Sequence, residues 1–276
     1  MLYNAHNRNI KIGDTDMDYV SFGTGKKNLV MIIGLNDGLF PVKGTALPLA
    51  LAYRIFAPYY TVYVFGRKNK LEEGYSTRDM ASDQAAAMRM LGITQADVIG
   101  VSQGGMIAQY LAIDYPELVH KLILAVTSPG QNEIVKSAVN KWIQLATEMD
   151  YKNLLIDSAE RAYTEKRLKK YRSIYPFLGL LKKPESLERF LIQANACLEH
   201  DAHSELHKIS CPTLIIGGAL DQIVGAAASR ELAKAIKGSK LYIYKDYGHT
   251  VYEEAKDFNR RMLHFFRTTV NASSKE

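Results

Sequence analysis

Ser102 stands in the run Gly100-Val101-Ser102-Gln103-Gly104. A serine placed this way could serve as a nucleophile, provided a base takes its proton and an acid orients the base. Downstream the chain offers both partners. Asp221 lies in Gly217-Gly218-Ala219-Leu220-Asp221-Gln222, and His249 in Gly248-His249-Thr250-Val251-Tyr252-Glu253. Together they could carry acyl transfer to water. His249 would take the proton as Ser102 attacks a carbonyl, and Asp221 would fix the imidazole's tautomer and stabilise its charged form. Water would then hydrolyse the acyl-enzyme, with His249 again as base. The plainer role for the serine is a helix cap in a glycine-rich turn.

Position along the chain separates these readings. Short β-branched or aromatic runs alternate with helical patterns over most of the length. Residues 18–23, 28–34, 60–66, 96–102, 121–127, 212–218 and 240–248 read as strands, and several are apolar on successive residues. That pattern suits strands buried on both faces of a parallel sheet. Helical spacing occupies Thr45–Phe56, Thr77–Leu91, Gly105–Tyr115, Ala226–Ile236 and Glu253–Thr269. Ser76-Thr77-Arg78-Asp79 has the form of a capping box, with Asp in the usual Glu or Gln position. The alternation predicts an α/β fold, a mostly parallel twisted sheet of about eight strands with helices on both faces. Ser102, Asp221 and His249 then each fall just past the carboxyl end of a strand, the edge where ligands bind in open α/β sheets. The serine would occupy a tight strand-to-helix turn. Side chains two residues before and after it would collide there, so both positions are glycine.

One interval breaks the alternation. About 80 residues between Thr127 and Pro212 contain no good strand, too long for an ordinary crossover. Residues 136–151, 153–172 and 185–200 have helical spacing there, with Pro176 and Pro184 as punctuation. The expected organisation is a core in two parts, 1–130 and 209–276, with a helical cap insertion at 131–208 over one end of the sheet. Trp142, Tyr163, Tyr171, Tyr175 and Phe177 could line an acyl pocket or form the insertion's own small core.

Bulk properties exclude several classes. The chain has 276 residues, 47% hydrophobic and 23% charged, ordinary for a soluble globular protein. No apolar run reaches the roughly 18 residues needed to span a bilayer, and the first residues have no apolar segment of signal-peptide type. The cytoplasm is the expected compartment, no membrane association is implied, and Cys197 and Cys211 read as free thiols. The net charge of +6 and the run Lys166–Arg172 invite a nucleic-acid reading. Acidic neighbours Glu160 and Glu165, and the absence of interleaved aromatics, make that run a solvated helix face instead. His200, His203 and His207 have spacings that could bind a metal, but without carboxylate or thiolate support they read as a solvated helix end. Asp246, three residues before His249, reads as a surface residue.

With these residues in place, the chain resembles the α/β-hydrolase family. Tyr115-Pro116-Glu117-Leu118-Val119-His120-Lys121-Leu122-Ile123-Leu124 is similar to the family's run after the nucleophile helix, and Gly248-His249 with Glu253 to its closing motif. Within the family the chain is most similar to the capped branch of enol-lactonases, carbon–carbon bond hydrolases and small carboxylesterases. The resemblance implies a serine hydrolase acting on a small-molecule acyl substrate, with no metal or organic cofactor; a homodimer stays open. It also implies an oxyanion hole made of two backbone N–H groups, from Gln103 and from Leu35 in Ile33-Gly34-Leu35. Here the family's loop histidine is replaced by Ile33, so the loop must be braced otherwise or be less rigid. Asn36 and Asp37 could do this through bonds to nearby backbone, although plain turn chemistry in Asn36-Asp37-Gly38 is the favoured reading. Two alternatives accompany the esterase reading. One is an acyl thioesterase or lysophospholipase, which Ser102-Gln103-Gly104-Gly105 resembles locally and the long interval disfavours. The other is a non-hydrolytic receptor or lyase on the same fold.

Overall fold

The computed structural model describes residues 2–180 and 184–268. Eight strands form one sheet in the order β1-β2-β4-β3-β5-β6-β7-β8. They are β1 (His6–Ile12), β2 (Thr15–Phe22), β3 (Lys27–Ile32), β4 (Tyr60–Lys68), β5 (Ala96–Val101), β6 (Val119–Ala125), β7 (Thr213–Gly218) and β8 (Lys240–Tyr244). β2 runs antiparallel to both neighbours, and every pairing from β4 to β8 is parallel. β1 is the strand that has no counterpart among the apolar runs. HNRNIKI lies at the sheet edge and is largely exposed, so it carries no hydrophobic signal to read.

Among the described residues ten α-helices accompany the sheet: α1 (Ala46–Ala52), α2 (Thr77–Met90), α3 (Gln103–Asp114), α4 (Glu133–Thr147), α5 (Tyr151–Ala162), α6 (Glu165–Tyr171), α7 (Glu188–Glu199), α8 (Ala226–Ala235), α9 (Val251–Glu254) and α10 (Phe258–Arg267). The expected capping box starts α2, with Ser76 Oγ accepting from Asp79 N and the Asp79 carboxylate accepting from Ser76 N. Successive residues of β3 serve opposite cores. Val30 and Ile32 pack with α2, α3 and α8, while Leu29 and Met31 pack with α1 and α10. A strand with two apolar faces cannot alternate, which explains the continuous hydrophobic runs.

The single helix expected over 253–269 is two helices, and Thr269 lies outside the described residues. Glu254 Oε1 accepts from Thr164 N and Thr250 Oγ1, and Thr250 Oγ1 also donates to the Ala162 carbonyl. These bonds fasten both ends of the short α9 to the segment between α5 and α6.

Between β6 and β7 the chain forms α4 to α7, and no strand occurs among the described residues of that interval. Val135, Val139, Trp142, Leu154, Phe190 and Cys197 form a third apolar cluster, which also takes in Leu35, Met106, Ile223 and Val224 from strand-end loops and α3. The interval's helices therefore pack against the carboxyl edge of the sheet. No helix among the described residues is long and apolar enough to cross a membrane.

Candidate active site

β5 ends at Val101, α3 begins at Gln103, and Ser102 alone makes the turn between them. Its φ of 55° and ψ of −123° lie in a region that residues with a Cβ avoid. Two contacts explain how the turn is accommodated. A Cβ on Gly100 would come within 2.5 Å of the Gly104 carbonyl oxygen, and one on Gly104 within 2.0 Å of the Ile32 carbonyl oxygen. Gly100 thus lets the turn close, while Gly104 lets α3 approach the end of β3. Ser102 N donates to the Ala125 carbonyl at 2.9 Å, fixing the turn to β6.

The loops after β7 and β8 bring the other two residues to the serine. His249 Nε2 lies 2.9 Å from Ser102 Oγ, and His249 Nδ1 lies 2.8 Å from Asp221 Oδ2. Asp221 Oδ1 accepts from Ile223 N at 2.8 Å and Val224 N at 3.0 Å. Both partners are nearly buried, His249 at 5% exposure and Asp221 at 6%. Burial works against the Asp221 charge, but the adjacent imidazole and the two backbone N–H groups outweigh it and hold the carboxyl below its ordinary pKa. Asp221 is therefore a carboxylate at neutral pH, and it accepts from the Nδ1 N–H. Nε2 is then left free to accept the serine proton.

Leu35 and Gln103 both line the cavity beside Ser102. Each opens its helix, Leu35 the short 3-10 turn Leu35–Gly38 and Gln103 helix α3. An N–H at that position has no carbonyl one turn back to accept it. Apart from the Cys197 thiol, the rest of the wall is apolar: Met106, Val135, Val139, Trp142, Ile223 and Val224. The cavity encloses about 20 Å³, room for about one water molecule.

Several sequence expectations change here. Of the five interval aromatics, only Trp142 reaches the cavity. Tyr163 and Tyr171 pack edge to face on each other, Tyr175 donates to Glu160, and Phe177 is exposed. His200 is no solvated helix end. It is buried, 2.9 Å from Thr77 Oγ1 and edge-on to Tyr110, and burial pushes its pKa down to about 3, so it is neutral. Asp246 is exposed.

Asp37 departs furthest from its turn reading. The turn exists, but the carboxylate bonds across the molecule instead of to its own backbone. Asp37 is 0% exposed, accepts from Arg67 N at 3.2 Å, and forms an ion pair with Arg189 on α7. Arg189 also donates to the Asp37 carbonyl and, at 3.1 Å, to that of Arg67. Arg67, Arg189 and Gln193 had escaped the sequence reading. The one signal was an arginine directly after Phe65-Gly66, at the carboxyl end of β4 and so at the same sheet edge as Ser102. Removing the Asp37 carboxylate leaves the half-buried Arg189 guanidinium without its ion-pair partner and the buried Arg67 cation without its nearby counter-charge, and breaking a buried pair costs about 3–5 kcal/mol. Asp37→Ala should therefore lower the melting temperature by about 10 °C, measured by calorimetry. A variant melting within 2 °C of the parent, roughly half a kcal/mol, would show that the pair is not a structural tie.

A family profile described as alpha/beta hydrolase fold matches residues 61–256. The chain is 28% identical over 265 residues to a 2-hydroxy-6-oxononadienedioate/2-hydroxy-6-oxononatrienedioate hydrolase of Klebsiella pneumoniae, covering 88% of each. It is 28% identical to 3-oxoadipate enol-lactonase 2 of Acinetobacter baylyi over 67% of this chain and 68% of that protein. Among solved structures, an alpha/beta hydrolase enzyme from a Medee basin deep-sea metagenome library aligns with a TM-score of 0.83 at 20% identity, covering 98% of this chain and all of the other. The enol-lactonase of Burkholderia xenovorans aligns with a TM-score of 0.78 at 18% identity, covering 95% of this chain and all of the other. At those identities the structural likeness concerns the fold.

Proposed function

The chain is an enzyme of the alpha/beta hydrolase family, and on that premise we propose that it is a serine hydrolase cleaving a carboxylic ester or related acyl bond of a small molecule. The observation that carries this reading is the unbroken relay Ser102 Oγ–His249–Asp221, at 2.9 Å and 2.8 Å, on a strained strand-to-helix turn. Ser102 attacks the carbonyl while His249 takes its proton. The N–H groups of Leu35 and Gln103 hold the oxyanion, where one lost donor typically costs about 2.7–4 kcal/mol of transition-state stabilisation. His249 then returns the proton to the leaving oxygen, and water releases the acyl group by the reverse sequence. Residues 131–208 act as a cap whose α4 and α7 side chains bound the acyl pocket. Relatives named as a 3-oxoadipate enol-lactonase and a 2-hydroxy-6-oxononadienedioate/2-hydroxy-6-oxononatrienedioate hydrolase support hydrolysis at a carbonyl. The cavity wall contains no basic side chain, which supports an uncharged acyl group.

Two measurements on one sample test the proposal. A fluorophosphonate probe should label Ser102 stoichiometrically, located by peptide mass mapping, and a series of p-nitrophenyl esters should show fast turnover of the shortest chains. Folded protein with no adduct and no turnover would overturn it. Each methylene beyond the pocket's capacity should lower kcat/KM by about tenfold or more. Val139→Ala, which opens the wall from α4, should move the optimum to longer chains. An unchanged optimum would mean that the acyl group lies elsewhere.

A further inference from the structure

The oxyanion loop lacks its familiar histidine, yet both segments that supply the N–H groups converge on one side chain. Arg67 Nη2 donates to the Ile33 carbonyl at 2.6 Å and to Gln103 Oε1 at 2.9 Å. Ile33 lies two residues before Leu35, and Gln103 is itself the second N–H donor. Gln103 Nε2 continues the chain of bonds to the Gln193 carbonyl of α7 at 2.6 Å. One guanidinium nitrogen thus spans the two halves of the oxyanion site.

This placement is poor for stability. Arg67 is 2% exposed, and its Nε and Nη1 have no hydrogen-bond partner. Burying a cation carries a desolvation cost, and each buried donor left unpaired adds to it. Its one nearby counter-charge, Asp37, is shared with Arg189. The two hydrogen bonds that Arg67 does make join the segments carrying the Leu35 and Gln103 N–H groups.

We propose that Arg67 is a positioning residue that sets the geometry of the oxyanion hole, in the role of the absent loop histidine. The inference rests on the serine-hydrolase reading above. Arg67 touches neither substrate nor reacting atoms and acts through the Ile33 carbonyl and the Gln103 side chain. Its loss should therefore appear in the transition state and not in substrate binding, since small displacements of such donors cost about a hundredfold.

The test compares wild type, Arg67→Met and Arg67→Lys with a short p-nitrophenyl ester, a trifluoromethyl ketone that forms an oxyanion adduct on the serine, and thermal melting. Arg67→Met should lose about 100-fold in kcat with KM changed less than threefold, and bind the ketone about 100-fold more weakly. Its melting temperature should fall far less than that of Asp37→Ala. Arg67→Lys keeps a cationic donor on the side chain and should recover at least tenfold of the loss. Wild-type kcat in folded Arg67→Met, or a loss confined to KM, overturns the proposal. If Arg67→Met does not fold, Gln103→Met removes the Oε1 acceptor while keeping the backbone N–H, and is read by the same criteria. A wild-type protein that neither labels at Ser102 nor turns over an ester overturns the serine-hydrolase reading and this inference with it. A reactive wild type beside an unimpaired Arg67→Met overturns this inference alone.

Discussion

Ser102→Ala should lower kcat by about 10⁶-fold while leaving the fold intact, because nothing beside His249 can take over the attack. The other cavity side chains are apolar except Gln103 and Cys197. Burial pushes the Cys197 thiol up to about 12, so it carries essentially no thiolate at neutral pH. The turn itself should survive, since its anchor is the backbone bond from Ser102 N to the Ala125 carbonyl and its shape depends on Gly100 and Gly104. What remains is the fixed environment for a bound ester, worth about 10³–10⁴ over water in comparable triads. The measurement is steady-state turnover of a short p-nitrophenyl ester, with intact mass and melting temperature to verify the variant. Activity within a hundredfold of the parent would remove Ser102 from the mechanism.

Asp221→Asn should cost about 10⁴ in kcat with little change in KM, and the local hydrogen bonds explain why so small a change is so damaging. Ile223 N and Val224 N both donate to Oδ1, so an asparagine must present its carbonyl oxygen to them. Its amide NH₂ then faces His249 Nδ1, where the carboxylate oxygen had been. To pair with that donor, Nδ1 must give up its proton, and the imidazole proton moves to Nε2. Nε2 can then only donate toward Ser102 and cannot take its proton. Substrate binding uses other groups, so KM should stay within a few-fold. A variant with normal kcat would mean that Asp221 only supports the loop.

How much of this could be read from the sequence depended on whether a residue's role was local. Ser102, Asp221 and His249 each follow a strand with strong hydrophobic signal. Strand ends in a parallel sheet share one edge, so chain position alone brought the three together. β1 was missed because an exposed edge strand needs no apolar side chains. Asp37 was misread because Asn-Asp-Gly is turn chemistry by composition, whereas its partners Arg67 and Arg189 lie 30 and 152 residues away. His200 was misread for a similar reason. Helical spacing says nothing of Thr77 and Tyr110, which close over it from α2 and α3. Long-range polar pairing leaves no periodic trace, so the triad's chain order was legible and its bracing was not.

The small cavity beside Ser102 has a thermodynamic consequence. At about 20 Å³ it has room for about one water, so an acyl group seated beside Ser102 requires the side chains of its wall to part. If the wall exchanges between this closed arrangement and an expanded one, substrate binds against that equilibrium. The apparent dissociation constant is the intrinsic one divided by the expanded fraction, and each 1.4 kcal/mol of reshaping weakens it about tenfold. On that arithmetic, apparent affinity would report how readily the wall to which α4 and α7 contribute gives way, as well as how a substrate fits once inside.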